Sequence, residues 1–265
     1  MSSLRETFAD CRAQKRAAFI PFLSGGDPDL RTTEQLLQAL VVGGADIIEL
    51  GVPFSDPIAD GPTIQRASAR ALDAGTTLSG ILRLIARQRD RLGVPIVLFT
   101  YYNPILARGL ETFADQAASS GVDAVLCVDL PPDEASDYIG VMRKQNLDTV
   151  FLLAPTSDRQ RIARVTQDST GFVYYVSRTG VTGARDDMPK ELLRQAKRLR
   201  RRIEQPLAVG FGISTPQQVA AVAKVADGVV VGSALVKLVE ENAGRNDLAQ
   251  RLELRVRELT KPLRG

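Results

Sequence analysis

Ile47-Ile48-Glu49-Leu50-Gly51-Val52-Pro53-Phe54-Ser55-Asp56-Pro57-Ile58-Ala59-Asp60-Gly61-Pro62 spells out one unit of the fold, and the rest of the chain repeats its plan. The apolar run around Glu49 reads as a buried strand. It breaks into a Pro/Gly loop that holds Asp56 and Asp60. Ile64, Ala67, Ala71 and Leu72 then recur at helical spacing. A carboxylate flanked by Ile48 and Leu50 is expensive to bury. Two readings of Glu49 are open: a strand residue that simply faces solvent, or a buried acid whose raised pKa suits proton transfer near neutral pH.

The same strand, turn and helix sequence recurs along the chain. Strands are expected at Ala18–Leu23, Ile47–Gly51, Ile96–Phe99, Ala124–Val128, Thr149–Leu153, Val173–Val176, Leu207–Val209 and Gly228–Val231. Helical faces lie between them, for example Leu36, Leu37, Leu40 and Val41, or Val219, Val222 and Ala223. Eight such units in 265 residues predict an α/β fold, a (β/α)₈ TIM barrel. An open doubly wound sheet is the alternative, but no early G-x-G-x-x-G supports it. An extra N-terminal helix, Leu4–Ala13, is placed to plug the bottom of the barrel. No linker or low-complexity tract interrupts the pattern, so residues 1–265 are expected to form a single domain.

Composition narrows the chemistry. The chain has no His, which removes Ser-His-Asp and Cys-His nucleophile systems and every His-containing metal site. Proton transfer falls to carboxylates, Tyr, Lys or Cys. Apolar residues make up 44% and charged residues 25%, as in a globular protein with a sizeable core. No apolar run approaches a membrane span, and no signal-peptide h-region opens the chain. Cys11 and Cys127 give no framework of bridges, so reduced thiols in the cytoplasm are expected. A net charge of +3 is too small to imply nucleic acid. The basic run Lys197–Arg202 follows a helical pattern and reads as a solvated face, since no aromatic residues interleave with it.

Barrel sites sit in the loops after the strands. Gly210 and Gly212 after the seventh strand would let backbone N–H groups approach a ligand closely. Thr215, Pro216 and Gln218 then read as N-cap, first helical position and capping box. Gly232-Ser233 opens a second helix directly after the eighth strand. Two glycine-marked helix starts in these positions read as a phosphate site, with ordinary strand-to-helix turns as the alternative. The loop Arg178–Arg185 has the composition of a lid or of a plain connector. Phe22, Phe99, Leu126, Tyr174 and Phe211 fall at or near strand ends, either as core or as the lining of a slot for a flat ring.

These motifs carry a resemblance along nearly the whole chain. Phe22 through Asp29 (FLSGGDPD), Glu49 through Gln65 (ELGVPFSDPIADGPTIQ), Asp129-Leu130-Pro131, Ser177 through Gly183 (SRTGVTG), Gly210 through Ser214 and Gly232-Ser233 resemble the tryptophan synthase alpha subunit family. The resemblance implies a barrel that cleaves indole-3-glycerol phosphate to indole and glyceraldehyde 3-phosphate, with no metal or cofactor. It implies Glu49 as general acid/base and Asp60 as the carboxylate on the indole N–H. Phe22, Phe99, Leu126 and Tyr174 would line the substrate, and Gly183, Phe211, Gly212, Gly232 and Ser233 would hold its phosphate. Thr182 matches the lid threonine that orients Asp60. The implied partner is a pyridoxal-phosphate-dependent beta subunit in an αββα heterotetramer, with Pro53 and Asp56 in the loop facing it. Ser24-Gly25 departs from the more usual Thr-Ala, and Phe99 stands where Leu is frequent. A free-standing lyase that releases indole, a catalytically dead scaffold and another phosphate-binding barrel are the rival readings.

Overall fold

The computed structural model describes residues 3–176, 189–210 and 212–264. Eight strands close a parallel barrel in chain order: β1 (Ala18–Ser24), β2 (Ile48–Gly51), β3 (Ile96–Thr100), β4 (Ala124–Cys127), β5 (Asp148–Leu153), β6 (Val173–Val176), β7 (Leu207–Gly210) and β8 (Gly228–Val231). Each boundary lies within one residue of its sequence expectation. The strands are near-continuous apolar runs because both faces are covered, the inner by the barrel core and the outer by helices. β1, β2, β4, β7 and β8 are buried along their whole length.

Register is pinned at the bottom by aspartates that precede strands. Asp46 accepts the Phe19 N–H at 2.8 Å, Asp123 the Ile96 N–H at 2.7 Å, and Asp227 the Leu207 N–H at 2.9 Å. Each carboxylate thereby ties the start of one strand to its neighbour.

The N-terminal helix Leu4–Ala13 forms as expected, with Ser3 and Glu6 making a reciprocal capping box. Its Leu4, Phe8 and Cys11 join the barrel's interior cluster with Ala18, Ile20, Val97, Leu126, Val150 and Phe172. Phe8 meets Phe172 at a ring-centroid distance of 5.7 Å, so the helix does stopper the bottom. The interior is therefore filled from below, and only the upper end is left for chemistry.

Asn103-Pro104, just beyond β3, lies in the first turn of a short helix, Tyr102–Arg108. Proline is tolerated there because first-turn N–H groups have no helical acceptor to lose. Gly232-Ser233 opens a helix directly after β8, as expected, and it runs nine residues, Ser233–Glu241. The basic run behaves as expected. The helix Lys190–Arg200 buries Leu192, Ala196 and Leu199 and leaves Lys197 and Arg198 exposed.

Candidate active site

The register fixes what faces the mouth of the barrel. Phe22 of β1 pairs with Glu49 of β2, and Glu49 with Val97 of β3. Glu49 is only 1% exposed, which removes the solvent-facing reading. Burial, with the nearby Asp60 charge adding to it, lifts its pKa to about 8. Among the described residues, its Oε1 finds no hydrogen-bond partner. Such an acid is neutral at pH 7 and able to give a proton.

Asp60 sits in the long loop after β2 and is less deeply placed. Burial raises its pKa to about 6, and a hydrogen bond from Tyr101 works against that rise. The Tyr101 hydroxyl donates to Asp60 Oδ2 at 2.9 Å and accepts the Ala59 N–H at 3.1 Å. Its ring packs on Phe54 of the same loop at 4.9 Å. Tyr101 follows β3 directly and is buried, so it anchors the loop to the barrel wall. Sequence reasoning passed over it. The signal was a polar-tipped aromatic immediately after a strand, where a barrel's loops meet its core. The two carboxyls thus titrate on opposite sides of neutrality, one kept protonated and the other ionised, which is a division of acid and base roles.

We expect Tyr101→Phe to push the Asp60 titration upward from about 6, because a bond that favours the charged form is lost. Carboxyl-carbon NMR across a pH series reads this directly. An unchanged Asp60 titration would remove Tyr101 from that role.

The apolar side of the mouth is built on Phe22 and Phe99. Their rings meet edge to face, 5.3 Å apart at 73°, above Ala67, Val236 and Ile64. Phe22 needs Gly51 beneath it, since a Cβ there would lie 2.8 Å from its ring. Tyr174 of β6 is half-buried and feels both carboxylates. Desolvation first, and then the Glu49 and Asp60 charges, hold its hydroxyl far above its usual range. Leu126 is wholly buried in the interior layer, with Phe99 and Tyr174 packed against the same cluster.

The glycines after β7 divide their work. A Cβ on Gly210 would meet the Tyr174 hydroxyl at 2.5 Å and Val230 at 2.9 Å. Gly210 therefore makes room for Tyr174, not for a ligand as its position suggested. Gly212 does have the left-handed backbone, with φ +62°, and among the described residues nothing lies within 4 Å of the point where a Cβ would stand. The helix Pro216–Ala223 has its expected capping box, and Gln218 also accepts the Ser214 N–H at 2.7 Å. The Gln218 N–H in turn is capped by the Thr215 hydroxyl at 3.3 Å, as the sequence pattern predicts. The helix Ser233–Glu241 differs: Gly232 is its N-cap and supplies no side-chain cap. With no cap among the described residues and a positive dipole, that end is suited to an anion. Phe211, Thr182, Gly183 and the rest of the loop Arg178–Arg185 lie outside the described residues.

The opposite rim is exposed. Asp56 is exposed and Pro53 is buried beneath the loop. Ile58 is 77% exposed and Leu106, on the helix after β3, is 53% exposed.

The sequence matches the family described as tryptophan synthase alpha chain over residues 8–264. It is 56% identical over 240 residues to a tryptophan synthase alpha chain of Geobacter sulfurreducens, covering 91% of each chain. It is 54% identical over 250 residues to that of Citrifermentans bemidjiense, covering 94% of each. Among solved structures, the tryptophan synthase subunit alpha from Legionella pneumophila is similar with a TM-score of 0.92 and 35% identity, over 99% of this chain and 98% of that one. A Mycobacterium tuberculosis tryptophan synthase structure is similar with a TM-score of 0.89 and 39% identity over 100% of both chains.

Proposed function

Because the chain belongs to the tryptophan synthase alpha chain family, we propose that Glu49 and Asp60 carry out that family's reaction, the lyase cleavage of indole-3-glycerol phosphate to indole and glyceraldehyde 3-phosphate. The observation that carries the assignment is the pair of carboxyls itself, held near pKa 8 and 6 at one end of an apolar slot.

The chemistry needs two proton movements. Indole C3 must gain a proton, which leaves the ring a cationic indolenine. The hydroxyl on the adjacent side-chain carbon must lose one. The electron pair of that O–H bond then forms the aldehyde C=O, and the broken carbon–carbon pair returns to the ring as neutral indole. Glu49, protonated by burial, gives the first proton. As a carboxylate it collects the second and is regenerated. Asp60, ionised beside the ring N–H, stabilises the positive charge as it develops. The edge-to-face pair Phe22–Phe99 and the Tyr174 ring line the flat-ring slot, with Leu126 forming its floor. The phosphate lies against the backbone of Gly212, Gly232 and Ser233 at the helix start. Gly183 and Phe211 are assigned to that site, and Thr182 to the contact with Asp60, by the resemblance alone.

The family implies a beta-subunit partner, and we place it on the rim formed by the loop Pro53–Asp60 and the helix Tyr102–Arg108. Exposed Ile58 and Leu106 supply apolar area that a partner would cover. This favours a subunit of an αββα complex, passing indole to a pyridoxal-phosphate enzyme, over a free-standing lyase. The reaction is assigned to the cytoplasm on the strength of the family alone. Among the described residues, no helix is long and apolar enough to cross a membrane.

Ser233→Asp tests the phosphate end. It sets a carboxylate at the helix start where the phosphate belongs, so KM should rise by at least about tenfold while the Glu49 titration stays in place. An unchanged KM for indole-3-glycerol phosphate would move the phosphate elsewhere. The function itself is tested by assaying indole release from this substrate, with and without a beta subunit.

A further inference from the structure

Three βα units meet in an ion cluster behind the mouth of the barrel. Arg66 and Arg70 stand four residues apart on the helix Pro62–Asp73, which begins just after Asp60. Arg70 Nε and Nη2 reach Asp27 Oδ1 and Oδ2 at 2.8 and 2.9 Å, a two-pronged contact. Its third nitrogen, Nη1, reaches Glu240 Oε1 at 2.8 Å. Arg66 grips both oxygens of Glu240, at 2.7 and 2.8 Å. Glu240 lies near the far end of the helix whose start is Ser233. Asp27 lies in the loop after β1, the strand that carries Phe22.

We propose that Arg70 and Glu240 are positioning residues, setting the separation between the phosphate-binding helix start at Ser233 and the loop that carries Asp60. The proposal rests on the functional reading above. The units joined by the cluster are those that supply Phe22, Asp60 and Ser233. A substrate with an aromatic ring at one end and a phosphate at the other must engage both ends at once, so their spacing sets how well it binds and reacts. The apolar layer beneath is small. Ala67 of one helix and Val236 of the other share a cluster with Phe22, and Gly232 faces Phe22 closely enough that a Cβ added there would touch it at 3.4 Å. Small contacts of that kind permit sliding of packed helices, while forked guanidinium bonds resist it. Asp27 has a side chain only 2% exposed and so requires its Arg70 partner. Arg66 is 54% exposed, and its share is correspondingly minor.

The test uses Glu240→Gln in the full chain. This change removes the negative charge and one of the two acceptor oxygens that join the two helices, so the link is weakened, but leaves the Asp27–Arg70 pair intact. Three ligands are titrated by calorimetry: indole, inorganic phosphate, and an indole bearing a phosphate on a saturated three-carbon chain at C3. In the variant, the joined ligand should weaken by about tenfold while each fragment stays within about twofold of its wild-type affinity. kcat for the substrate should fall alongside. Arg70→Lys keeps the charge but loses the fork, and should give the same pattern more strongly. Unchanged affinity for the joined ligand in both variants would overturn the proposal. Equal weakening of all three ligands, or loss of folding in both variants, would also overturn it by making the cluster a stability element only. A wild-type chain that binds neither fragment would overturn the substrate reading, and this inference with it.

Discussion

Glu49→Gln is expected to abolish cleavage, lowering indole release by at least about 10²–10⁴-fold, because Gln fills the same volume but exchanges no proton. Binding of substrate should survive, since neither the slot nor the phosphate end is altered. The wild-type rate should depend on pH as a bell. Glu49 must hold its proton, so the rate falls as pH rises through about 8. Asp60 must be ionised, so it falls as pH drops through about 6. The two limbs belong to the interacting pair and are read as apparent values. The same substitution should stabilise the fold. Glu49 has a higher pKa folded than unfolded, so the unfolded chain releases its proton first as pH rises from about 4.5 toward 8. Stability is therefore complete below that window and is lost progressively through it. At pH 7 the loss is on the order of 3 kcal/mol, and Gln, which does not titrate, escapes it. Thermal melts at pH 5 and pH 8 would show the variant's advantage widening with pH. Activity within a few-fold of wild type, or a melting gap independent of pH, would remove Glu49 from the role of buried acid.

Asp60→Asn should be the second most damaging change. It keeps the shape and the Tyr101 contact but removes the negative charge facing the ring N–H. Stabilisation of a developing cation by a fixed charge in a dry site is worth about 10²–10³-fold, so kcat should fall by that factor with KM nearly unchanged. The acid limb of the pH profile should also disappear, because the group that titrates near 6 is gone. Single-turnover measurement of indole formation separates this effect from product release. If the loss instead appears as a raised KM with kcat preserved, Asp60 binds substrate without stabilising the transition state.

The sequence determined the barrel. Eight β-branched runs alternate with helical faces, and local periodicity suffices to place every strand to within one residue, because a strand buried on both faces must be apolar throughout. It also determined the plug at the bottom, since Leu4, Phe8 and Cys11 share one helical stripe, and the capping box at Thr215 and Gln218, which is a contact over three residues. Glu49 and Asp60 were legible as candidates because a carboxylate inside an apolar run is costly and the chain has no His to take its place. Only the tertiary structure decided what those groups are. Whether Glu49 faces solvent or core depends on strand register, which pairs residues far apart in the chain, and burial to 1% exposure follows from closure of the barrel. The Tyr101 hydroxyl that tempers Asp60 crosses 41 positions of sequence, beyond any local pattern. Gly210 looked like a ligand-facing glycine, and only the neighbouring strand's Tyr174 showed what fills the space. The cluster of Asp27, Arg70 and Glu240 spans more of the chain still, 170 positions between its last two members. Periodicity and spacing report which face a residue occupies on its own element. They carry no information on which charge from another element will stand opposite it, and the pKa values and fixed separations of this site come from those opposing charges and the burial around them.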